Sequence, residues 1–107
     1  EIVTTPGLTG VYIGPSDLAL ALGLPAYGDQ PQEEHLETVK HILATCKKHG
    51  VVSGMHTSSL EYTKKYLELG FNMVMLGSDS AFMMRTASKE LAEAKGSVEE
   101  NKESTGY

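Results

Sequence analysis

The run Val11-Tyr12-Ile13-Gly14-Pro15-Ser16-Asp17-Leu18 holds the side chain best suited to chemistry: an apolar stretch stops on Gly14-Pro15 and then presents a carboxylate, Asp17. In parallel α/β proteins functional groups gather just beyond the carboxyl ends of the strands, so an acid at this point is a candidate ligand or catalyst. A second reading stays open, because Asp is also a favoured N-cap and Asp17 could simply start a short helix at Leu18. Gly14-Pro15 is by itself a turn.

The second candidate is His56, which follows Gly54-Met55 at the end of another apolar run. An imidazole there could bind a polar substrate group, move a proton, or only hydrogen-bond to Thr57 or Ser58. His35, His41 and His49 lie on or beside a helical segment and read as surface or capping groups. No pair of them has the spacing of a His-Glu-x-x-His zinc site. Ser78-Asp79 could hold phosphate at a helix start, with capping as the simpler reading. Cys46 is the only cysteine. It cannot form an internal disulfide, which fits a reducing cytoplasm and a small core residue.

Three short apolar runs must position these groups: residues 11–13, Val51-Val52 with Met55 close behind, and residues 73–76, punctuated by Gly14, Gly54 and Gly77. Longer segments of helical period alternate with them, and this β-α-β-α-β-α order favours parallel strands in an α/β fold. The first long helix takes Pro31 in its first turn and Glu33 and Glu34 at its positive end. Lys47, Lys48 and His49 sit at its negative end, and Gly50 is the stop. Leu36, Val39, Leu43 and Cys46 form its buried stripe. Between Asp17 and this helix lie a short helix over residues 18–22 and a Gly/Pro-containing loop over residues 24–30, long enough to serve a site. The second long helix opens with Ser58-Ser59-Leu60-Glu61, read as a capping box, and ends at Gly70. The third opens near Ser78-Asp79, carries Met83, Ala87, Leu91 and Ala94 on one face, and ends at Gly96. The polar residues 97–107 read as a disordered tail.

Composition narrows the function. With 107 residues, 40% hydrophobic and 21% charged, the chain allows one modest domain or part of a larger one. A net charge of −5 and the lack of a basic stripe interleaved with aromatics argue against a nucleic-acid partner. No apolar run approaches the roughly 18 residues of a spanning helix, so a membrane role is not expected. The amino end has neither the basic nor the apolar region of a secretory signal. Three parallel strands alone leave two open edges over a narrow core, so the chain reads as a portion of a longer β/α repeat.

These residues carry a resemblance. The stretch Pro6-Gly7-Leu8-Thr9-Gly10 leading into residues 11–18, then Gly54, then Tyr66-Leu67-Glu68-Leu69-Gly70-Phe71 and residues 74–79, is similar to the HpcH/HpaI family of metal- and pyruvate-dependent class II aldolases. The likeness runs over about residues 1–95 with its blocks in order. It implies an incomplete (β/α)8 TIM barrel, of which this chain would be the C-terminal three β/α units, with the tail from residue 96 outside it. It implies that Asp17 binds a divalent metal (Mg2+, Mn2+ or Co2+) together with a glutamate from the preceding strand. The backbone of Gly14, Pro15 and Ser16 would line the carboxylate of pyruvate. His56 would stand where family members often carry an apolar residue shaping the aldehyde pocket, which is a departure.

The implied reaction is reversible aldol cleavage of a 4-hydroxy-2-oxo acid to pyruvate and an aldehyde, in which the metal acts as a Lewis acid and stabilises the enolate. No Schiff-base lysine is visible at a strand end. The implied partner glutamate, arginine and histidine-aspartate pair lie outside these residues, so the chain alone is expected to be inactive. The resemblance also implies a homo-oligomer, a hexamer in which the last helix is exchanged and Phe82, Met83 and Leu91 lie at an interface. Two other readings remain open: a lyase of the citrate lyase β/malyl-CoA type, and a non-catalytic α/β phosphate-binding module.

Overall fold

A computed structural model describes the backbone of residues 1–105 and the side chains of residues 1–96. Residues 1–76 and residues 77–107 form two separate compact units. In the first, a 3-10 turn (Ile2–Thr4) leads into strand β1 (Gly10–Ile13), followed by helices α1 (Pro15–Ala21) and α2 (Glu33–His49), strand β2 (Val52–Met55), helix α3 (Leu60–Leu69) and strand β3 (Met73–Val74). The strands form one open sheet in the order β1-β2-β3 with both pairings parallel.

The expected strands are therefore present, and β3 is shorter than residues 73–76. The amide of Met75 still donates to the Met55 carbonyl at 3.1 Å. Its carbonyl is taken by the hydroxyls of Thr57 and Thr63, at 2.6 and 2.8 Å, and the chain leaves the sheet there.

Alternation along the strands divides the sheet into two faces. On one, Ile13 and Met55 join Val39 and Leu43 of α2 and Tyr66 and Phe71 around α3 in a single apolar core, with Val11 and Val74 packed against it. Tyr66 and Phe71 meet edge to face with ring centroids 5.6 Å apart, and burial pushes the Tyr66 phenol up to about 12. Cys46 is a buried free thiol, as expected. Of the predicted α2 stripe, Val39, Leu43 and Cys46 are buried and Leu36 is half-buried. The other face carries Tyr12, Val52 and Met73, which are 49%, 46% and 55% exposed. An apolar sheet face open to water is what part of a barrel leaves when its interior is not closed.

Helix boundaries follow backbone chemistry. Gly50 and Gly70 end α2 and α3 with φ of +68° and +97°, the left-handed geometry that side chains resist. Pro31 lies before the extended N-cap Gln32 and not in the first turn, since α2 begins at Glu33. The predicted capping box is displaced by one residue. Ser59 is the N-cap of α3 and its hydroxyl accepts from the Tyr62 amide at 3.4 Å, which leaves Glu61 one position short of a reciprocal contact. The Ser58 amide instead donates to Asp29 Oδ1 at 2.9 Å.

The second unit contains helix α4 (Asp79–Thr105). Ser78 caps it by accepting from the Ala81 amide at 3.2 Å, in line with the simpler reading of Ser78-Asp79. The helix passes through Gly96, where the sequence predicts a stop; a single glycine costs a helix interior only about 1 kcal/mol. Where the sequence suggests a tail from residue 97, the backbone continues as α4 to Thr105, and the side chains from residue 97 and residues 106–107 lie outside the described residues. Among the described residues no helix is long and apolar enough to cross a membrane.

Candidate functional site

Parallel pairing puts the carboxyl ends of all three strands on one edge of the sheet. Because Ile13 pairs with Met55, Gly14 and His56 emerge side by side, and the His56 amide continues the ladder by donating to the Ile13 carbonyl at 3.0 Å. Here a cleft of about 560 Å³ opens. The residues named from the sequence for metal and substrate line it: Gly14, Pro15, Ser16, Asp17 and His56, whereas Ser78 and Asp79 do not.

Asp17 is not the N-cap. Gly14 holds that position in an extended conformation, Pro15 is the first helical residue, and Asp17 falls in the first turn of α1, where a negative charge is favoured by the helix dipole. The carboxylate folds back over Gly14, so closely that a Cβ there would lie 2.6 Å from Oδ2. It is exposed in the cleft and, among the described residues, has no hydrogen-bond or ion-pair partner. Its lone pairs are therefore available to a ligand.

The turn that carries Asp17 is held at successive residues. The Pro15 carbonyl accepts from Nε2 of His35 at 3.1 Å, and the Ser16 hydroxyl donates to the Tyr27 carbonyl at 3.0 Å. Ser16 Oγ is thus engaged with the loop. Gln30 organises that loop from inside: its buried side-chain amide donates to the carbonyls of Pro25 and Tyr27 at 2.8 and 3.1 Å, while its main-chain carbonyl accepts from the Tyr62 hydroxyl at 3.2 Å. With Asp29 on the Ser58 amide, the wall built by the loop is fixed to the start of α3.

Across the cleft, Nδ1 of His56 lies 3.3 Å from the Tyr12 hydroxyl, and the two rings meet edge to face at 6.2 Å. Of the readings open for His56, a local bond to Thr57 or Ser58 is not formed; Thr57 pairs with Thr63 at 2.8 Å. Tyr12 reaches His56 because Gly54, its partner in the register, has no side chain. A Cβ on Gly54 would lie 2.6 Å from Cδ2 of the tyrosine.

Sequence reasoning missed Tyr12, Gly28 and Ser58 as lining residues. The signal for Tyr12 was present, since it is two residues before Gly14 on a strand and so shares a face with the site. The expectation that His35 is a surface or capping group is corrected: it is fully buried, at 0% exposure. Burial pushes its pKa down, the hydrogen bond to Pro15 works against that, and the charge of Lys65 lowers it further. An apolar cleft of about 400 Å³ beside Val11 and Ile42 contains neither Asp17 nor His56.

A divalent cation needs more than Asp17. Among the described residues no three His, Cys, Asp or Glu side chains converge on one point. The free carboxylate fits one position of a metal's shell, and other donors would have to complete it.

Parallel strands joined by helices, with an acid-bearing turn at their carboxyl edge, are the architecture of part of an α/β barrel. The chain belongs to the HpcH/HpaI aldolase/citrate lyase family, whose profile matches residues 1–86. It is 40% identical over 93 residues to a 5-keto-4-deoxy-D-glucarate aldolase of Klebsiella pneumoniae, with 87% of this chain and 35% of the relative covered. A protein of the same description from Citrobacter koseri is 38% identical over 93 residues, with the same coverage. The chain thus spans about a third of the length of the curated relatives it matches.

Among solved structures, an HpcH/HpaI aldolase/citrate lyase family protein from Burkholderia cenocepacia superposes with a TM-score of 0.79 at 28% identity, covering 88% of this chain and 36% of the other. The citrate synthase SbnG gives 0.74 at 26% identity, with 92% and 39% covered.

Proposed function

We propose that residues 1–95 form the C-terminal β/α units of a class II lyase that reversibly cleaves 4-hydroxy-2-oxo acids to pyruvate and an aldehyde, and that Asp17 contributes to a divalent-metal site. The observation that carries this reading is the unpartnered Asp17 carboxylate, folded over Gly14 at the mouth of the cleft. The substrate class is a polar sugar-derived oxo acid, because the relatives nearest 40% identity cleave 5-keto-4-deoxy-D-glucarate by name.

Each residue has a task in this reading. Asp17 would hold Mg2+, Mn2+ or Co2+, completed by a glutamate from outside the chain. The bound cation supplies Lewis acidity towards the 2-oxo acid. The backbone at Gly14 and Ser16 faces the substrate carboxylate, which is favoured beside first-turn amides of a helix. His56, steadied by Tyr12, faces the aldehyde portion and offers one ring nitrogen to it. The Ser16–Tyr27 and Gln30 contacts hold the wall that excludes water. Oligomerisation through α4, with Phe82, Met83 and Leu91 at the interface, and a cytoplasmic setting complete the proposal.

The test joins residues 1–107 behind the complementary amino-terminal part of the Klebsiella pneumoniae relative and follows pyruvate release with lactate dehydrogenase. Cleavage should require added Mg2+ or Mn2+. Asp17→Asn should lower kcat/KM by about 100-fold or more, the rate equivalent of the several kcal/mol that a Lewis acid provides. Activity that survives both chelation and Asp17→Asn in a folded chimera refutes the assignment. Cleavage of an acyl-CoA substrate in place of the oxo acid would transfer the chain to the citrate lyase branch.

A further inference from the structure

His35 is a polar ring where a core would ordinarily take an apolar one. It is fully buried on α2, and burying a polar group without full hydrogen bonding is unfavourable. Its Nε2 is 3.1 Å from the Pro15 carbonyl, and Nδ1 is buried with no partner among the described residues. A carbonyl only accepts, so Nε2 bears the hydrogen, and with no acceptor beside Nδ1 the neutral ring here is the Nε2–H tautomer. Burial and the nearby charge of Lys65 both favour this uncharged form. One half of the ring is thus left unsatisfied so that the other half can grip one backbone atom.

That atom belongs to the first residue of α1, two positions before Asp17. With Gly14 as N-cap and Asp17 folded back over it, the direction of the carboxylate is set by the path of the backbone from Gly14 through Ser16. Ser16 ties this turn to the loop, and His35 ties it to α2, the longest helix of its unit. We infer that His35 is a positioning residue: by holding the Pro15 carbonyl, its Nε2–H fixes the Gly14–Asp17 turn and so the direction in which the Asp17 carboxylate enters the cleft. The inference rests on the role proposed for Asp17. It differs from plain packing in one respect: an apolar filler of similar volume would preserve the core and lose the grip, whereas an amide donor would restore it.

The experiment uses the 107-residue chain, labelled with 15N and 13C. In the wild type, long-range 1H–15N correlations should report the Nε2–H tautomer of His35; the Nδ1–H tautomer would overturn the inference without any substitution. In metal-free protein, His35→Leu should move the Asp17 Cγ signal and the Ser16 and Asp17 amide signals, and His35→Gln should return them towards the wild-type positions. Signals that stay in place in His35→Leu, or that fail to return in His35→Gln, overturn it. His35→Met replaces the leucine variant if circular dichroism shows the latter unfolded.

Mn2+ alone is then titrated into the chimera with the Klebsiella pneumoniae relative, which supplies the donors that Asp17 needs beside it, while the broadening of the residue-17 signals is followed. The midpoint should rise about tenfold in His35→Leu and lie within about twofold of wild type in His35→Gln, as when the support of a metal ligand is removed and restored. If Mn2+ broadening is the same in Asp17→Asn as in wild type, the metal role of Asp17 falls. The metal-free signals still decide whether His35 sets the turn.

Discussion

Replacing Gly54 with alanine tests how the site is built into the sheet. The new Cβ would lie 2.6 Å from Cδ2 of Tyr12 and 3.2 Å from Cε of Met73. Carbon atoms in contact sit about 3.5–4.0 Å apart, so the tyrosine ring must retreat by about 1 Å, while the flexible end of Met73 gives way easily. Overpacking costs about 1–3 kcal/mol, and the lower half of that range applies because Tyr12 is half-exposed and can move outward. About 1–1.5 kcal/mol lowers the folded-to-unfolded ratio by about 5- to 12-fold.

The same retreat takes the phenol out of reach of His56, since their contact is already 3.3 Å and such bonds fade quickly beyond that. Urea unfolding of Gly54→Ala should therefore show a lower midpoint at unchanged slope, and the His56 ring nitrogens should shift. Tyr12→Ala in the same chain removes the obstacle, so the double variant should be less destabilised than the sum of its parts. An unchanged midpoint with unchanged His56 signals would refute the claim that Gly54 makes room for the pair.

Ser59→Ala should lower the stability of the unit by about 1 kcal/mol in a thermal melt through loss of the α3 cap, whereas Ser58→Ala should stay within about 0.5 kcal/mol. Equal losses would return the cap to Ser58. Thr57→Val leaves the Met75 carbonyl with the Thr63 hydroxyl alone and should cost about 1 kcal/mol in urea unfolding. For His35 the folded pKa lies below the ordinary 6.5, so the unfolded chain takes up a proton first as pH falls. Its contribution is complete above pH 6.5, is lost as the pH drops through 6.5 towards the folded value, and changes no further below that. His35→Gln should flatten this part of the stability–pH curve, and an unchanged slope would count against the burial of the imidazole.

Much of this was legible in the residues. The short apolar runs, the glycine stops at 50 and 70 and the acid after Gly14-Pro15 are local signals, and each corresponds to an element or a site residue in the structure. The α3 cap was misplaced by one residue because adjacent serines offer the same hydroxyl, and only the path of the loop, with Asp29 holding the Ser58 amide, decides between them. His35 was misread because helical period places it beside a stripe of apolar residues without saying that a carbonyl twenty positions earlier waits inside. Tyr12 belongs to an apolar run, which carries no sign of which face is covered. Its exposure follows from the open face of the sheet, a property of what surrounds a strand and not of the strand itself.

The loop between α1 and α2 is gripped by main-chain carbonyls, with Gln30 reading Pro25 and Tyr27 and Ser16 reading Tyr27 again. The side chains of Pro25, Ala26 and Tyr27 point to solvent and take no part in that grip. Scaffold and decoration are thereby uncoupled: substitutions at positions 26 and 27 can redraw the rim presented to an incoming molecule while the course of the wall, and the turn it supports, stay as they are.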